Sequence, residues 1–145
     1  MKLLQIFFFA AFFVQASAHA AEASTCVVSD KEFLHQITSS SDWLDVHAVF
    51  KRNFPSCKDE GLYADGYTNL VVGVMATNWA DLALLDDLTK KNAGFERFIL
   101  RHIGASAGEN DLSRVLHSAK VECPTQSVHL CQQIAKRCKE ALSSQ

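Results

Sequence analysis

Apolar residues recur at spacings of three and four along almost every segment after Ser29, a pattern that is typical of amphipathic helices. No stretch alternates apolar and polar residues for long enough to indicate a sheet. We therefore expect an all-α fold, a compact bundle of five to seven short helices stapled by one or two disulfides. The segments expected to be helical cover 30–37, 42–54, 59–78, 81–91, 92–104, 106–119 and 125–142.

The strongest of these segments runs from about Asp59 to Asn78 and is predicted to be the central core helix. Its apolar residues keep helical spacing, and Gly66 and Gly73 lie seven apart, so nearly on one face. Each glycine weakens a helix by about 1 kcal/mol relative to alanine, so we expect each of the two to have a structural or functional role. Close helix packing is the preferred interpretation for both, and a ligand contact is the alternative.

Residues that can cap helices stand before several of these segments. Ser41 or Asp42 is expected to cap the second and Asn92 the fifth, because short polar side chains accept hydrogen bonds from free helical N–H groups. The segment Ser106-Ala107-Gly108-Glu109 has the form of a capping box, and Thr125 is expected to cap the last helix.

The N-terminus has the form of a secretory signal peptide. Lys2 precedes an apolar run from Leu3 to Val14 that is shorter than the roughly 20 residues needed to cross a bilayer. Ala18-His19-Ala20 fits the small-x-small cleavage pattern, so cleavage is expected before Ala21. The sequence thus predicts a signal peptide over 1–20 and a single helical domain over 21–145, periplasmic or secreted. A membrane anchor and a lipid on Cys26 are the less favoured alternatives.

Charge excludes two classes of partner. The chain has 14 basic and 16 acidic residues, and with Lys2 removed the remainder carries a net charge of −3. Nucleic-acid binding needs a basic face, and attachment to anionic lipid needs clustered Lys and Arg. We expect a protein partner, no nucleic acid and no stable membrane anchor, while a homodimer stays open.

All five cysteines lie beyond the signal, and export makes disulfides the default expectation. An odd number leaves one thiol unpaired within the chain. Cys131 and Cys138 are too far apart on one helix to pair, and Cys123 is poorly placed for Cys131 if the helix begins near Thr125. We therefore expect a Cys57–Cys123 bridge across the central block, with Cys26 bonded to Cys131 or Cys138.

The sequence has no recognisable catalytic, cofactor-binding or metal-binding motif. We therefore predict no residue for any of these roles, and we do not expect the chain to be an enzyme. The histidines lack paired ligand spacing for zinc. The acidic pairs Asp59-Glu60 and Asp86-Asp87 are expected to be ordinary solvated carboxylates, and a glycosidase pair brought together by the fold is the alternative. His102 and His117 are each expected to be packed rings with one hydrogen bond, and a pH switch is the alternative.

Two local features resemble a known family. Gly66-Tyr67 and Gly73-Val74 occur within GYTNLVVGV on the central helix, and Cys123-Pro124 closes the helical block. These features are similar to the periplasmic immunity proteins that neutralise type VI secretion effectors, in particular the helical, amidase-immunity-like group. The resemblance implies a non-catalytic inhibitor of a cell-wall-degrading effector, and it assigns no inhibitory residue. The alternatives are a small periplasmic stress chaperone and, less favoured, a small hydrolase.

Overall fold

The computed structural model describes residue 26 and residues 28–54, 56–57 and 59–145; the predicted signal peptide and its cleavage site lie outside them. Within these ranges the chain forms seven α-helices and no strand, which confirms the all-α prediction. Short 3₁₀ turns at Trp79–Asp81 and Thr125–Ser127 precede the fourth and the last helix. The helices are α1 (Asp30–Ser39), α2 (Trp43–Asn53), α3 (Gly61–Thr77), α4 (Leu82–Lys91), α5 (Ala93–Arg101), α6 (Glu109–Val121) and α7 (Val128–Leu142).

Two of the predicted caps are confirmed. The Asp42 carboxylate accepts hydrogen bonds from the first free N–H groups of α2, and the Asn92 side chain does the same for α5. The predicted capping box at Ser106 is wrong, because α6 begins after Gly108 without a side-chain cap. Thr125 does not cap α7 either, since it lies in the 3₁₀ turn before that helix.

Helix α3 lies at the centre of the fold and is buried on most of its circumference. Tyr67, Leu70 and Val71 are among its buried residues, and α1 and α6 pack against it. Its two glycines have different surroundings. A Cβ at Gly66 would lie 2.6 Å from a ring carbon of Phe33, whereas one at Gly73 would meet nothing within 4 Å. The close-packing prediction is therefore confirmed at Gly66 and wrong at Gly73.

The cysteine pairing differs from the prediction. Cys57 bonds to Cys26 and Cys123 to Cys131, so the expected Cys57–Cys123 bridge and the expected link from Cys26 to α7 are both wrong. The 3₁₀ turn delays the start of α7 to Val128, which places Cys131 in its first turn. The Cα atoms of Cys123 and Cys131 are consequently only 6.1 Å apart, within disulfide range.

The fifth cysteine, Cys138, is a buried free thiol on α7. Two disulfides in one small domain indicate an oxidising environment such as an exported protein meets.

None of the described helices is by itself long and apolar enough to cross a membrane. Only α3 taken together with Trp79–Lys91 meets the length and composition criteria, and that pair is bent by 94°.

Candidate functional site

A recess with an apolar floor and a basic rim opens between the end of α2 and one face of α5. Three pairs of residues spaced four apart build it, so each pair projects from one side of its helix. Its volume is about 400 Å³. We call it the arginine–phenylalanine recess, and its lining residues are Phe50, Phe54, Gly94, Arg97, Phe98 and Arg101.

Three phenylalanine rings form the floor. The centroid of Phe98 lies 5.1 Å from that of Phe50 and 5.0 Å from that of Phe54, with the rings tilted or edge-on. Phe98 and Phe50 are almost fully buried, while Phe54 is partly exposed. Because the rings hold one another by mutual packing, the floor is preformed.

Two arginines one helical turn apart form the rim. Arg101 makes an ion pair through Nε with the Asp59 carboxylate, although its side chain remains 64% exposed. Arg97 is exposed, and it makes no ion pair with any residue in the described part of the chain. A Cβ on Gly94 would lie 3.9 Å from Arg97 Nη2 and 3.6 Å from Phe50 Cζ. The Arg97 guanidinium thus lies close to the floor as well as to solvent.

Behind the rim, the buried ring of His102 contacts two oxygen atoms. Its Nδ1 lies 2.8 Å from the Phe98 carbonyl oxygen and its Nε2 lies 2.9 Å from Asp59 Oδ1. Both partners are acceptor oxygens, so a ring nitrogen that carries a proton donates to the oxygen beside it. Asp59 therefore joins the loop after α2 to the end of α5 through two basic residues, His102 and Arg101.

A second recess, the hydroxyl-lined groove, lies between the end of α1 and α3. Leu70, Val74 and Ile37 give it an apolar base, and half-buried Gly73 lies on its wall. The polar side chains that line it in the described part of the chain are uncharged, and hydroxyls such as that of Thr77 already donate to carbonyls of their own helix. Among the described residues that line it, none has an ionisable side chain. The remaining lining residues are Thr38, Ser40, Ser41 and Asn69.

The structure corrects two expectations about acidic residues. Asp86 is buried, accepts a hydrogen bond from the Ser127 hydroxyl at 2.9 Å and pairs with Lys90. The Asp59 side chain is 13% exposed, with Oδ1 2.9 Å from His102 Nε2 and Oδ2 in an ion pair with Arg101. Neither is the solvated carboxylate that the sequence suggested. Their positions could not be read locally, because Ser127 and His102 lie more than 40 residues further along the chain.

The predictions for the histidines are only partly confirmed. His102 is a packed ring, as expected, but it makes two hydrogen bonds rather than one. His117 is exposed on α6, so the packed-ring prediction is wrong for this residue. His129 is likewise exposed, on α7. In the described part of the chain, no three His, Cys, Asp or Glu side chains lie close enough together to hold a metal ion.

Sequence reasoning missed the arginine–phenylalanine recess altogether. The one signal in the sequence was on α5, where Gly94 and Phe98 are spaced four apart and so are Arg97 and Arg101. This spacing puts an apolar pair beside a basic pair on the helix surface. Comparison with protein-family models, curated proteins and solved structures gives no match to this chain. The resemblance to immunity proteins accordingly stays a prediction.

Proposed function

We propose that this chain is an exported, non-catalytic binding protein, an immunity or inhibitor protein that neutralises a cell-wall-degrading effector. In this proposal the signal peptide is removed near Ala20 and Ala21, and the mature protein acts in the periplasm or outside the cell. The arginine–phenylalanine recess is its partner-binding surface. The observation that carries the proposal is the combination of a preformed aromatic floor with an exposed Arg97 that makes no ion pair among the described residues.

The composition of the recess favours a protein partner. Arginine and aromatic side chains are enriched among the few residues that dominate binding energy at protein interfaces. Here the aromatic rings are already ordered by their neighbours, so binding would immobilise few further side chains. Two disulfides restrain the same domain and support a rigid binding surface.

The state of the reactive groups supports binding over catalysis. Four cysteines are in disulfides, and burial raises the pKa of the Cys138 thiol to about 12, so little nucleophilic thiolate forms near neutral pH. Both nitrogens of His102 are engaged in hydrogen bonds inside the protein. A wall-degrading glycosidase works with a pair of carboxylates, and guanidinium groups bind carboxylates in two-pronged geometry. The basic rim is therefore suited to an acidic catalytic cleft.

Affinity capture from a periplasmic extract tests this function. The protein and two charge-reversal variants serve as bait: Arg97→Glu in the recess and Arg114→Glu on an exposed position of α6. We expect the unaltered protein and Arg114→Glu to capture one stoichiometric wall hydrolase and to inhibit its digestion of purified cell wall. Arg97→Glu should lose both properties.

Other outcomes reject the proposal. Capture of many unrelated proteins at low pH would favour a stress chaperone. Failure to capture any protein, together with turnover of cell-wall fragments by the purified chain, would favour a small hydrolase.

A further inference from the structure

The volume, charge and geometry of the arginine–phenylalanine recess indicate which kind of ligand it binds. We infer that it receives a protein segment carrying an acidic residue beside a large apolar one, with the carboxylate on Arg97 and the apolar side chain on the phenylalanine floor. This inference rests on the proposed binding function and names the chemistry of the partner.

The recess is large enough for such a segment. An apolar cavity of about 150 Å³ accommodates a benzene ring. The recess offers about 400 Å³, which leaves room for one aromatic or large aliphatic side chain and for a carboxylate at the rim. Its floor is apolar, with almost fully buried Phe98 and Phe50 at its base.

The rim of the recess offers a positive charge to a ligand. The acidic residue that contacts the rim, Asp59, already shares its two oxygens between Arg101 and His102. Arg97, one turn earlier on α5, makes no ion pair among the described residues, so it is the guanidinium open to an incoming anion. The two charged side chains that line the recess, Arg97 and Arg101, are thus both basic, which favours an anionic partner.

Geometry joins the two requirements. The position that a Cβ on Gly94 would take is 3.6 Å from the ring of Phe50 and 3.9 Å from the guanidinium of Arg97. An anion on Arg97 therefore lies next to the edge of the apolar floor. A ligand that satisfies both must carry its charge and its apolar group within a few ångströms of each other, as adjacent residues of a peptide do. The recess is open to solvent at its rim, which lets a continuous chain lie across it.

A nuclear magnetic resonance titration of the ¹⁵N-labelled, disulfide-intact protein tests this inference. The probes are acetyl-Glu-Phe-amide, its uncharged match acetyl-Gln-Phe-amide and its polar match acetyl-Glu-Ser-amide, each added to about 10 mM so that millimolar binding is detected. We expect the Glu-Phe peptide to shift the amide signals of Gly94, Arg97 and Phe98. Because charge-assisted hydrogen bonds are about twice as strong as neutral ones, the Gln-Phe peptide should bind about tenfold more weakly. The Glu-Ser peptide should also bind more weakly, since it lacks the apolar group.

Two variants assign the effect to one residue. Arg97→Gln should reduce the affinity for the Glu-Phe peptide by about tenfold, to that of the Gln-Phe peptide. Arg114→Gln, which removes an exposed arginine from α6, should leave it unchanged. Equal effects of the two variants, or equal binding of the charged and uncharged peptides, would overturn the inference.

Three further outcomes also reject it. No signal shift with any peptide would show that the recess is not a peptide site. Tighter binding of octanoate than of the Glu-Phe peptide would assign it to a small amphipathic acid, and a dimer that dissociates in Arg97→Glu would assign it to a second copy of this chain. Failure of hydrolase capture with intact peptide binding would reject the proposed function alone.

Discussion

The ring of Phe33 on α1 lies against the backbone of Gly66 on α3, in the space that a side chain at residue 66 would need. An ideal Cβ there would be 2.6 Å from Phe33 Cε1 and 2.8 Å from Cζ. Phe33 is itself fully buried, with its ring centroid 5.1 Å from that of Tyr67. The ring has therefore little freedom to move away, and the glycine sets how closely α1 and α3 approach.

Replacing Gly66 by alanine should destabilise the protein by about 1–3 kcal/mol, the usual range for overpacking a well-packed core. Gly73→Ala is the matched control, because it lies on the same helix with no atom within 4 Å of the new Cβ. The control should be neutral or stabilising by up to about 1 kcal/mol through helix propensity. Urea unfolding followed by circular dichroism measures both. Equal effects would contradict the packing role of Gly66.

The two disulfides should contribute unequally to stability. Cys26–Cys57 closes a sequence separation of 31 residues and Cys123–Cys131 one of 8. The chain-entropy model assigns them roughly 4 and roughly 2.5 kcal/mol, because a longer loop loses more freedom in the unfolded state. Thermal unfolding should therefore show a larger fall in Tm for the double variant Cys26→Ala/Cys57→Ala than for Cys123→Ala/Cys131→Ala.

Peptide mapping under non-reducing conditions checks the connectivity on which this comparison depends. The expected products are one peptide pair linked through Cys26 and Cys57 and another linked through Cys123 and Cys131. A dominant link between Cys57 and Cys123 would restore the pairing expected from the sequence and contradict the structure.

Sequence patterns predicted the features of this fold that depend on neighbouring residues. Helix positions follow from apolar spacing within each segment, and the caps at Asp42 and Asn92 act on N–H groups two or three residues away. The disulfides were predicted wrongly because their pairing depends on a local detail: starting α7 at Val128 instead of Thr125 brings Cys131 within reach of Cys123. A shift of three residues is within the usual uncertainty of a helix boundary.

The recess could not be predicted from local sequence patterns, because its residues come from two separate segments of the chain. Phe50 lies on α2 and Phe54 directly follows that helix, while Arg97, Phe98 and Arg101 come from α5. Their spacing is also that of ordinary core and surface residues, so each helix read alone gives no indication of a recess. The partners of Asp59 and Asp86 are likewise set by tertiary packing, which explains why both were taken for solvated carboxylates.

The two tyrosines of α3 should respond oppositely to loss of their hydroxyl groups. Tyr63 Oη donates to Asp30 Oδ1 at 2.8 Å, whereas the buried Tyr67 hydroxyl has no hydrogen-bond partner among the described residues. Tyr63→Phe should destabilise by about 0.5–1.5 kcal/mol, the net worth of a typical hydrogen bond. Tyr67→Phe should be neutral or stabilising, because it removes a buried polar group. Urea unfolding distinguishes the two, and a larger loss for Tyr67→Phe would contradict the assignment.

Cys138 should be the only cysteine that a thiol reagent labels, and only after unfolding. The other four are in disulfides, and Cys138 is fully buried on α7. Burial raises its pKa to about 12, so both access and thiolate content are low in the folded state. Iodoacetamide at pH 8 should leave the native protein unmodified and add one label in urea, as intact mass will show. Rapid labelling of the native protein would contradict the burial of this thiol.

Alkaline pH should destabilise the protein through the same residue. An unfolded cysteine loses its proton near pH 9, whereas folded Cys138 holds its proton to about pH 12. Between these values the folded state binds more protons than the unfolded state, so the free energy of unfolding falls as pH rises. Burial also raises the pKa of Tyr67, which extends the decline above pH 10. Urea unfolding of the protein and of Cys138→Val, measured between about pH 8 and pH 11 without reducing agent, should give a shallower decline for the variant. Parallel pH profiles would show that the thiol makes no contribution, and a rise in stability with pH would contradict the sign of both shifts.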